Sequence, residues 1–550
     1  MQLAWLDYGI IAVYFLIVIG IGLYLKQKVK SGNDFLMSNK TIPLWATSLA
    51  FISANLGAQE VLGMAASGAK YGLYTTHFYW LGAAFAMIFL GIFMMPFYYG
   101  SKARSVPEYL KLRFDEKTRT FNALSFAAMT VFSSGISLYA LAMLMEVILG
   151  WNFDITVWLA ACIVLIYIFL GGLTSAIYNE VLQFFLIILG ITPLVYIAFE
   201  QAGGVAGIVQ HVDDAKLHLW KGMSSAATNP MGVDAFSMVF GLGFVLAFGY
   251  WCTDFLVVQR AMIARNQREA RLTPILAAIP KIFMPLVVIL PGILLLALQN
   301  QTTGFELPLN ANGETDYNMV LPLLLQKLYP SGLLGLGITA LIASFMSGMA
   351  GNVTAFNTVF TFDIYQTHIR ANASDRHYLY VGKLTTVAGI LLSIATAYVA
   401  RSFNSIMDLL QLVFSFVNAP LFATFFLGMF WRRTTGHGAF YGLVSGTLSA
   451  ALMHGLTVAE GKGGWIASLH EFYSGTGQAF WIASIAFMVC FIVTVLVSVV
   501  TKPKHIGELT GLVYSLTPKQ TDRYKRWYYN PLWLGMIILV VTVVLNIWFR

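Results

Sequence analysis

Charged residues are scarce in this sequence: only 11% of its 550 residues are Asp, Glu, Lys or Arg. Soluble domains carry about 25% charged residues and roughly 45–50% apolar ones, whereas 58% of this chain is hydrophobic. Long polar stretches are also missing, and a soluble module needs about 100 residues. The sequence therefore excludes an additional soluble catalytic, kinase or nucleic-acid-binding domain.

Cysteine is rare as well, and the three present, Cys162, Cys252 and Cys490, all lie within apolar runs. They provide neither a disulfide framework nor a metal-ligand spacing. The apolar runs also lack an H-E-x-x-H motif, and no Ser/His pair is suggested. These absences predict that the chain is not an enzyme and holds no organic cofactor.

What the sequence has in abundance is apolar runs of the length that crosses a bilayer core of about 30 Å as a helix. We count about fourteen of them and predict an all-α integral membrane protein in which residues 1–550 form a single transmembrane domain. The predicted spans are 6–25, 43–69, 76–99, 121–149, 155–171, 176–199, 235–258, 273–299, 331–363, 378–400, 405–431, 437–456, 477–500 and 530–549.

The basic residues behind the net charge of +8 are concentrated in every second loop. This is the pattern of cytoplasmic loops rather than of a nucleic-acid-binding face. It predicts a multi-pass protein of the plasma (cell inner) membrane with both termini outside, although Lys216 and Lys221 depart from it. The loops assigned to the cytoplasm are Lys26 to Lys30, Lys102 to Arg119, Arg260 to Arg271, Arg370 to Arg376, Arg432 to Arg433, and Lys502 to Arg526.

Two predicted spans are interrupted by polar residues. The second carries Asn55, Gln59 and Glu60, and a carboxylate inside a membrane is costly unless it is buried in protein or faces water. The seventh is interrupted from Gly249 to Asp254. Broken helices at corresponding positions of two repeats are typical of transporters with an inverted repeat and a midplane binding site. The spacing of the two breaks indicates a repeat of five helices.

Unpaired backbone groups at a helix break can bind a cation and a polar solute together. Ser344 and Ser347, three residues apart, share a helix face, and hydroxyl oxygens suit hard cations such as sodium. Hydroxyls in membrane helices also commonly bond their own backbone. From the residues alone, each of these serines, and likewise Lys281 and Gln411 within their spans, is either functional or a satisfied structural polar group.

Several ordered motifs extend this interpretation, because together they resemble the sodium/solute symporter family, nearest to its sodium/glucose cotransporter branch. The resemblance runs from about Asp7 to the end of the thirteenth span. The motifs are Val106 to Leu110 before Arg113-Phe114, Gly171 to Leu173, Tyr250 to Asp254 leading to Gln259-Arg260, Asp363 to Tyr365, Phe430 to Arg433, and Gly438 to Phe440.

The resemblance implies a LeuT-type core of five plus five inverted-repeat helices with flanking helices, which works by alternating access. It implies a sodium site built from the carbonyls of Ser53, Leu56 and Ser344 and the hydroxyl of Ser347. Gly348 stands where the family usually has a second hydroxyl, and Glu180 replaces an aspartate near the ion path. The solute-binding positions it implies are Asn55, Glu60, Tyr79, Tyr250, Lys281 and Gln411.

Two of those positions depart from the family pattern. Glu60 replaces a neutral or imidazole side chain, and Tyr79 replaces a carboxylate that accepts hydrogen bonds from sugar hydroxyls. Either the carboxylate has moved to another wall of the pocket or the solute has changed. The function implied is sodium-coupled symport of a small polar solute, a sugar or polyol first, across the lipid bilayer. The alternatives are a proton-coupled symporter with Glu60 or Glu180 as carrier, and a transporter-derived solute sensor.

Overall fold

A computed structural model of the chain describes residues 3–27, 29–309, 313–400, 406–517 and 529–550. Within these ranges it does not describe the side chains of Asn39, Ala58, Gln59 and residues 406–408. Residues 518–526 of the basic segment predicted from Lys502 to Arg526 lie outside the described residues, and so does the side chain of Gln59 in the predicted polar cluster.

Helices make up most of the described chain, and we number the α-helices in chain order. They are α1 Trp5–Lys26, α2 Gly32–Met37, α3 Leu44–Ser53, α4 Ala58–Tyr71, α5 Ala84–Phe89, α6 Met95–Gly100, α7 Val106–Arg113, α8 Glu116–Leu149, α9 Phe153–Gln201, α10 Gly204–His211, α11 Ala247–Thr253, α12 Phe255–Met262, α13 Gln267–Val288, α14 Leu290–Gln301, α15 Val320–Leu328, α16 Leu333–Val359, α17 Asp375–Ala400, α18 Ile406–Phe430, α19 Gly436–Leu456, α20 Gly475–Val500 and α21 Pro531–Trp548.

Four π-helical segments extend or connect these helices: Phe78–Ala83, Leu90–Met94, Ser237–Leu246 and Phe360–Ile369. A small sheet lies between α19 and α20 and consists of β1 Thr457–Ala459, β2 Lys462–Gly463 and β3 His470–Phe472. The strand β1 is central, antiparallel to β2 and parallel to β3.

Within the described residues, ten helical stretches are long and apolar enough to cross a membrane, and the bent pair Ser237–Thr253 and Phe255–Met262 would be an eleventh. The prediction of a mostly helical chain of membrane-spanning length is confirmed. The count of fourteen stays a prediction, because one of the ten stretches, α9, includes both predicted spans 155–171 and 176–199. The predicted second span is divided into α3 and α4, and α19 is not among the ten.

The division within α9 occurs at Gly172, whose φ of 55° and ψ of −147° are not helical. A positive φ suits glycine because it has no Cβ. A Cβ at this position would also lie 2.4 Å from the Phe35 carbonyl oxygen. The motif Gly171 to Leu173 therefore marks the place where α9 bends around α2.

Both interruptions predicted from polar residues are present. Residues 54–57 separate α3 from α4. The second break is at Asp254, where the helix axis bends by 49° and the carboxylate of Asp254 accepts a hydrogen bond from the backbone N–H of Leu256 at 2.8 Å. Each break leaves backbone groups without helical partners in the interior of the bundle.

The centre of the bundle is α16, which packs against α1, α8 and α9 and also touches α4 and α12. In the helical stretch Leu333–Ile369, 89% of the most apolar 18-residue segment is buried. This helix is therefore enclosed by other helices and has little surface left to contact lipid. This arrangement places the serines of α16 directly opposite the first helix break.

Candidate cation and solute site

The break between α3 and α4 is pressed against α16. Ser53 and Leu56 are fully buried, and a Cβ built on Gly57 would lie 3.1 Å from the Cα atom of Gly348 on α16. Glycine on both sides is what permits this backbone approach. The carbonyl groups at the break therefore lie against a neighbouring helix rather than lipid.

Two hydroxyls of α16 meet those carbonyls. Ser344 Oγ donates to the Leu56 carbonyl at 2.6 Å, and Ser347 Oγ donates to the Ser53 carbonyl at 3.0 Å. The Ser53 and Ser347 hydroxyl oxygens are 3.4 Å apart. The four residues predicted to bind sodium thus lie together, and their carbonyl and hydroxyl oxygens are the donors that hard cations prefer. Ser344 meets the break through its hydroxyl, whereas its carbonyl was the predicted ligand.

Asn55, which lies in the same break, contacts a second group of polar side chains. Asn55 Nδ2 donates to the Tyr250 hydroxyl at 3.0 Å, and Asn55 Oδ1 accepts from Lys281 Nζ at 2.5 Å. Lys281 also forms an ion pair with Glu60, with 2.5 Å between Nζ and Oε1, and the two side chains are 3% and 5% exposed. A buried charge needs such a partner, so this pair explains how α4 and α13 each carry a charge inside the membrane.

Aromatic rings enclose the ammonium group. Lys281 Nζ lies 4.8 Å from the centroid of the Tyr79 ring and 5.1 Å from that of Trp251, distances at which a ring face attracts a cation. Trp251 was not among the predicted site residues, although it adjoins Tyr250 in the quoted motif. Its position in the motif was the signal that could have identified it.

These residues line a cavity of about 60 Å³, which contains all six positions predicted to bind solute. Gln411 forms part of the wall on α18, and Phe414, one turn further along, was missed because a phenylalanine in an apolar span carries no distinguishing signal. The wall combines aromatic and apolar side chains with a few convergent polar groups, as small-molecule sites do. The cavity has room for a few water molecules.

Glu180 is engaged by an arginine. Arg260 Nε donates to its carboxylate at 3.2 Å, and Arg260 Nη2 donates to the other oxygen; both side chains are fully buried. A Cβ built on Gly351, one turn after Ser347, would lie 3.7 Å from Glu180 Oε1. Glu180 thus lies beside the next turn of α16, and Arg260, quoted in a motif but not predicted as a site residue, is its partner.

The family model described as the sodium:solute symporter family matches residues 35–446, most of the chain. The chain belongs to this family. It is 29% identical over 461 residues to a sodium/glucose cotransporter of Vibrio parahaemolyticus, covering 80% of this chain and 84% of the relative. A sodium/mannose cotransporter of Bos taurus is 30% identical over 473 residues, covering 81% of this chain and 78% of the relative.

Among solved structures, the chain is similar to a substrate-bound, outward-open Na⁺-coupled sialic acid symporter, with a TM-score of 0.78 and 20% identity over 91% of this chain and 99% of that one. This likeness shows the fold of a symporter. Together with the apolar helices, the family establishes a multi-pass integral membrane protein that is a transporter and not an enzyme.

Proposed function

We propose that the chain is a sodium-coupled symporter of a neutral polyhydroxylated solute, a sugar or a polyol, and that it works by alternating access. The observation that carries the proposal is the double role of residues 54–57. The carbonyl of Ser53, just before the segment, and that of Leu56, within it, accept hydrogen bonds from the hydroxyls of α16. Asn55 contacts Lys281 and Tyr250 in the cavity. One short segment therefore contacts both the cation site and the solute site.

The coupling follows from that geometry. A sodium ion bound by the break and α16 would fix the segment, and a fixed segment would hold the Asn55 amide in the position that completes the solute site. Each ligand then raises the affinity of the other by the same factor. One positive charge crossing about 100 mV supplies about 2.3 kcal/mol, which sustains roughly fifty-fold solute accumulation at about 1.4 kcal/mol per tenfold.

The charges of the cavity favour a neutral solute. Among the described residues that line it, Glu60 and Lys281 carry charge, and they neutralise each other. Glu60 also provides, from α4, the acceptor that hydroxyl groups require. The relatives named for glucose and mannose support this substrate class.

The remaining proposals concern the membrane. We place the chain in the plasma (cell inner) membrane as one transmembrane domain with five-plus-five inverted-repeat topology and both termini outside. The two helix breaks support the repeat, since they occur in α3–α4 and in the bent pair that ends at Met262.

Uptake into proteoliposomes tests the function. Labelled glucose, mannose, inositol, proline and sialic acid are offered with an inward sodium gradient or with potassium in its place. Sodium-dependent accumulation of a neutral sugar or polyol, lost in Ser347→Ala and kept in Ser393→Ala, is the expected result. Ser393 is a suitable control because its buried hydroxyl donates to the Gly389 carbonyl of its own helix. Accumulation that follows a proton gradient in potassium would replace sodium by the proton, and binding without accumulation would indicate a sensor.

A further inference from the structure

A third hydroxyl lies at the junction of the helix break and α16, on a helix that the family pattern does not include in the cation site. Ser137 of α8 is 3% exposed. A Cβ built on Gly348 would lie 3.0 Å from Ser137 Oγ, and a Cβ built on Gly57 would lie 3.8 Å from the same oxygen. The Ser137 hydroxyl thus fills space beside the position where the family usually carries a hydroxyl on α16.

The hydroxyl proton of Ser137 is already engaged in a hydrogen bond. Ser137 Oγ donates to the Ser133 carbonyl, one turn earlier in α8, at 3.2 Å. A hydroxyl has one proton to donate and two lone pairs to offer. Because the proton is directed to its own helix, the lone pairs remain available to a cation at the Gly57–Gly348 junction.

We propose that Ser137 replaces the hydroxyl missing at Gly348 as a ligand of the coupling cation, so that α8 joins the cation site. The inference rests on the proposed sodium coupling. Three side-chain hydroxyls, from Ser344, Ser347 and Ser137, then surround the carbonyls of the break. The loss at position 348 is a relocation of a ligand from α16 to α8, and the site keeps its number of oxygen donors.

Steric fit distinguishes relocation from simple loss. A serine at 348 beside the existing Ser137 would begin its side chain 3.0 Å from Ser137 Oγ and 3.0 Å from the Gly57 Cα atom, closer than ordinary contact. The Ser137 hydroxyl and a side chain at 348 therefore compete for the same space in this geometry. The contact with the Gly57 Cα atom would remain even without the Ser137 hydroxyl, so glycine is the residue that fits at 348.

The test uses binding of ²²Na⁺ to the purified full chain, which does not depend on transport, together with the sodium dependence of uptake. We expect Ser137→Ala and Ser137→Cys each to weaken sodium binding about tenfold, because a methyl group donates nothing and sulfur is a poor ligand for a hard cation. Ser134→Ala is the matched control: it removes a buried hydroxyl three residues away on α8 and should leave sodium binding unchanged.

Sodium affinity of Ser137→Ala and Ser137→Cys equal to that of the unaltered chain, while Ser347→Ala abolishes it, would overturn the inference and leave sodium coupling intact. Absence of ²²Na⁺ binding by the unaltered chain would instead overturn the proposed function, and the inference with it. If Ser137→Ala and Ser137→Cys change solute affinity at saturating sodium to the same extent but leave sodium affinity unchanged, the inference is also overturned, and Ser137 is a packing residue only.

Discussion

Lys281 and Glu60 are 221 residues apart in the sequence, and Lys281 Nζ lies 2.5 Å from Glu60 Oε1 inside the bundle. In the proposed function this pair selects the solute, because each charge is satisfied by the other and both side chains line the cavity. Asn55 joins the pair to the helix break through its contact with Lys281. The cavity and the oxygens of the break are therefore connected by a continuous set of contacts.

Breaking the ion pair should cost stability. Glu60→Gln leaves Lys281 without its carboxylate, and uncompensated buried charges destabilise by about 3–5 kcal/mol. We expect a lower thermal unfolding midpoint in detergent and loss of solute uptake, with Glu60→Gln combined with Lys281→Met restoring the midpoint but not uptake. The control is Lys70→Met, whose partner Glu460 is in a partly exposed pair worth less than about 1 kcal/mol. Equal midpoints for Glu60→Gln and Lys70→Met would contradict the assignment.

The position of the carboxylate should be exchangeable. The Tyr79 ring and Glu60 both contact Lys281. The double variant Glu60→Gln with Tyr79→Glu therefore moves the acid from α4 to the π-helical segment Phe78–Ala83 and keeps it beside Lys281. We expect it to regain at least a tenth of the uptake that Glu60→Gln loses, with a changed preference among sugars, measured by competition against the labelled solute. If the double variant unfolds at the same temperature as the unaltered chain but regains no uptake, the carboxylate is required at position 60 itself.

Asn55 should connect sodium to solute. In Asn55→Ala the carbonyls of the break remain, while the contacts to Tyr250 and Lys281 are lost. Sodium should still bind within about threefold of its normal affinity, but the solute KM should rise more than tenfold and become nearly independent of sodium. Asn357→Ala serves as control because this buried amide bonds Thr386, away from the site. A normal sodium dependence of KM in Asn55→Ala would contradict the coupling route.

The bend in α9 should depend on glycine. Gly172→Ala adds a Cβ 2.4 Å from the Phe35 carbonyl oxygen to a backbone with φ 55° and ψ −147°. Such a sparsely populated backbone conformation costs about 1–3 kcal/mol, and overpacking costs roughly 1–3 kcal/mol. We expect a clearly lower yield of monodisperse protein on size exclusion and a lower unfolding midpoint. Gly20→Ala, where a Cβ meets nothing within 4 Å, should behave like the unaltered chain. If the two variants were equally stable, the bend at Gly172 would not be a constraint.

Much of this architecture could be predicted from the sequence, because its causes are local. The breaks were predicted because Asn55, Glu60 and Asp254 are polar or acidic residues in runs that lipid would otherwise surround. The ion pairs were not predicted, since nothing in the local sequence links Lys281 to Glu60 or Arg260 to Glu180. Such partners are brought together by the fold over long separations.

Ser137 illustrates a different limit. Its neighbours Ser133 and Ser134 are buried serines of the same helix, and in membrane helices such hydroxyls commonly bond their own backbone. Only the approach of Gly57 and Gly348 to its oxygen distinguishes it. The prediction of the number of membrane crossings had a similar limit. The apolar runs indicated two spans, 155–171 and 176–199, whereas the structure has one helix, α9, with a bend at Gly172.

The most direct test of the account is reciprocal binding at equilibrium. The apparent Kd of the sugar or polyol identified by uptake is measured by isothermal titration calorimetry in choline and at saturating sodium, and the apparent Kd for ²²Na⁺ is measured with and without that solute. The account predicts that sodium lowers the solute Kd at least fivefold and that the solute lowers the sodium Kd by the same factor. Independent binding of the two ligands, or an equal effect of choline and sodium on the solute Kd, would contradict it.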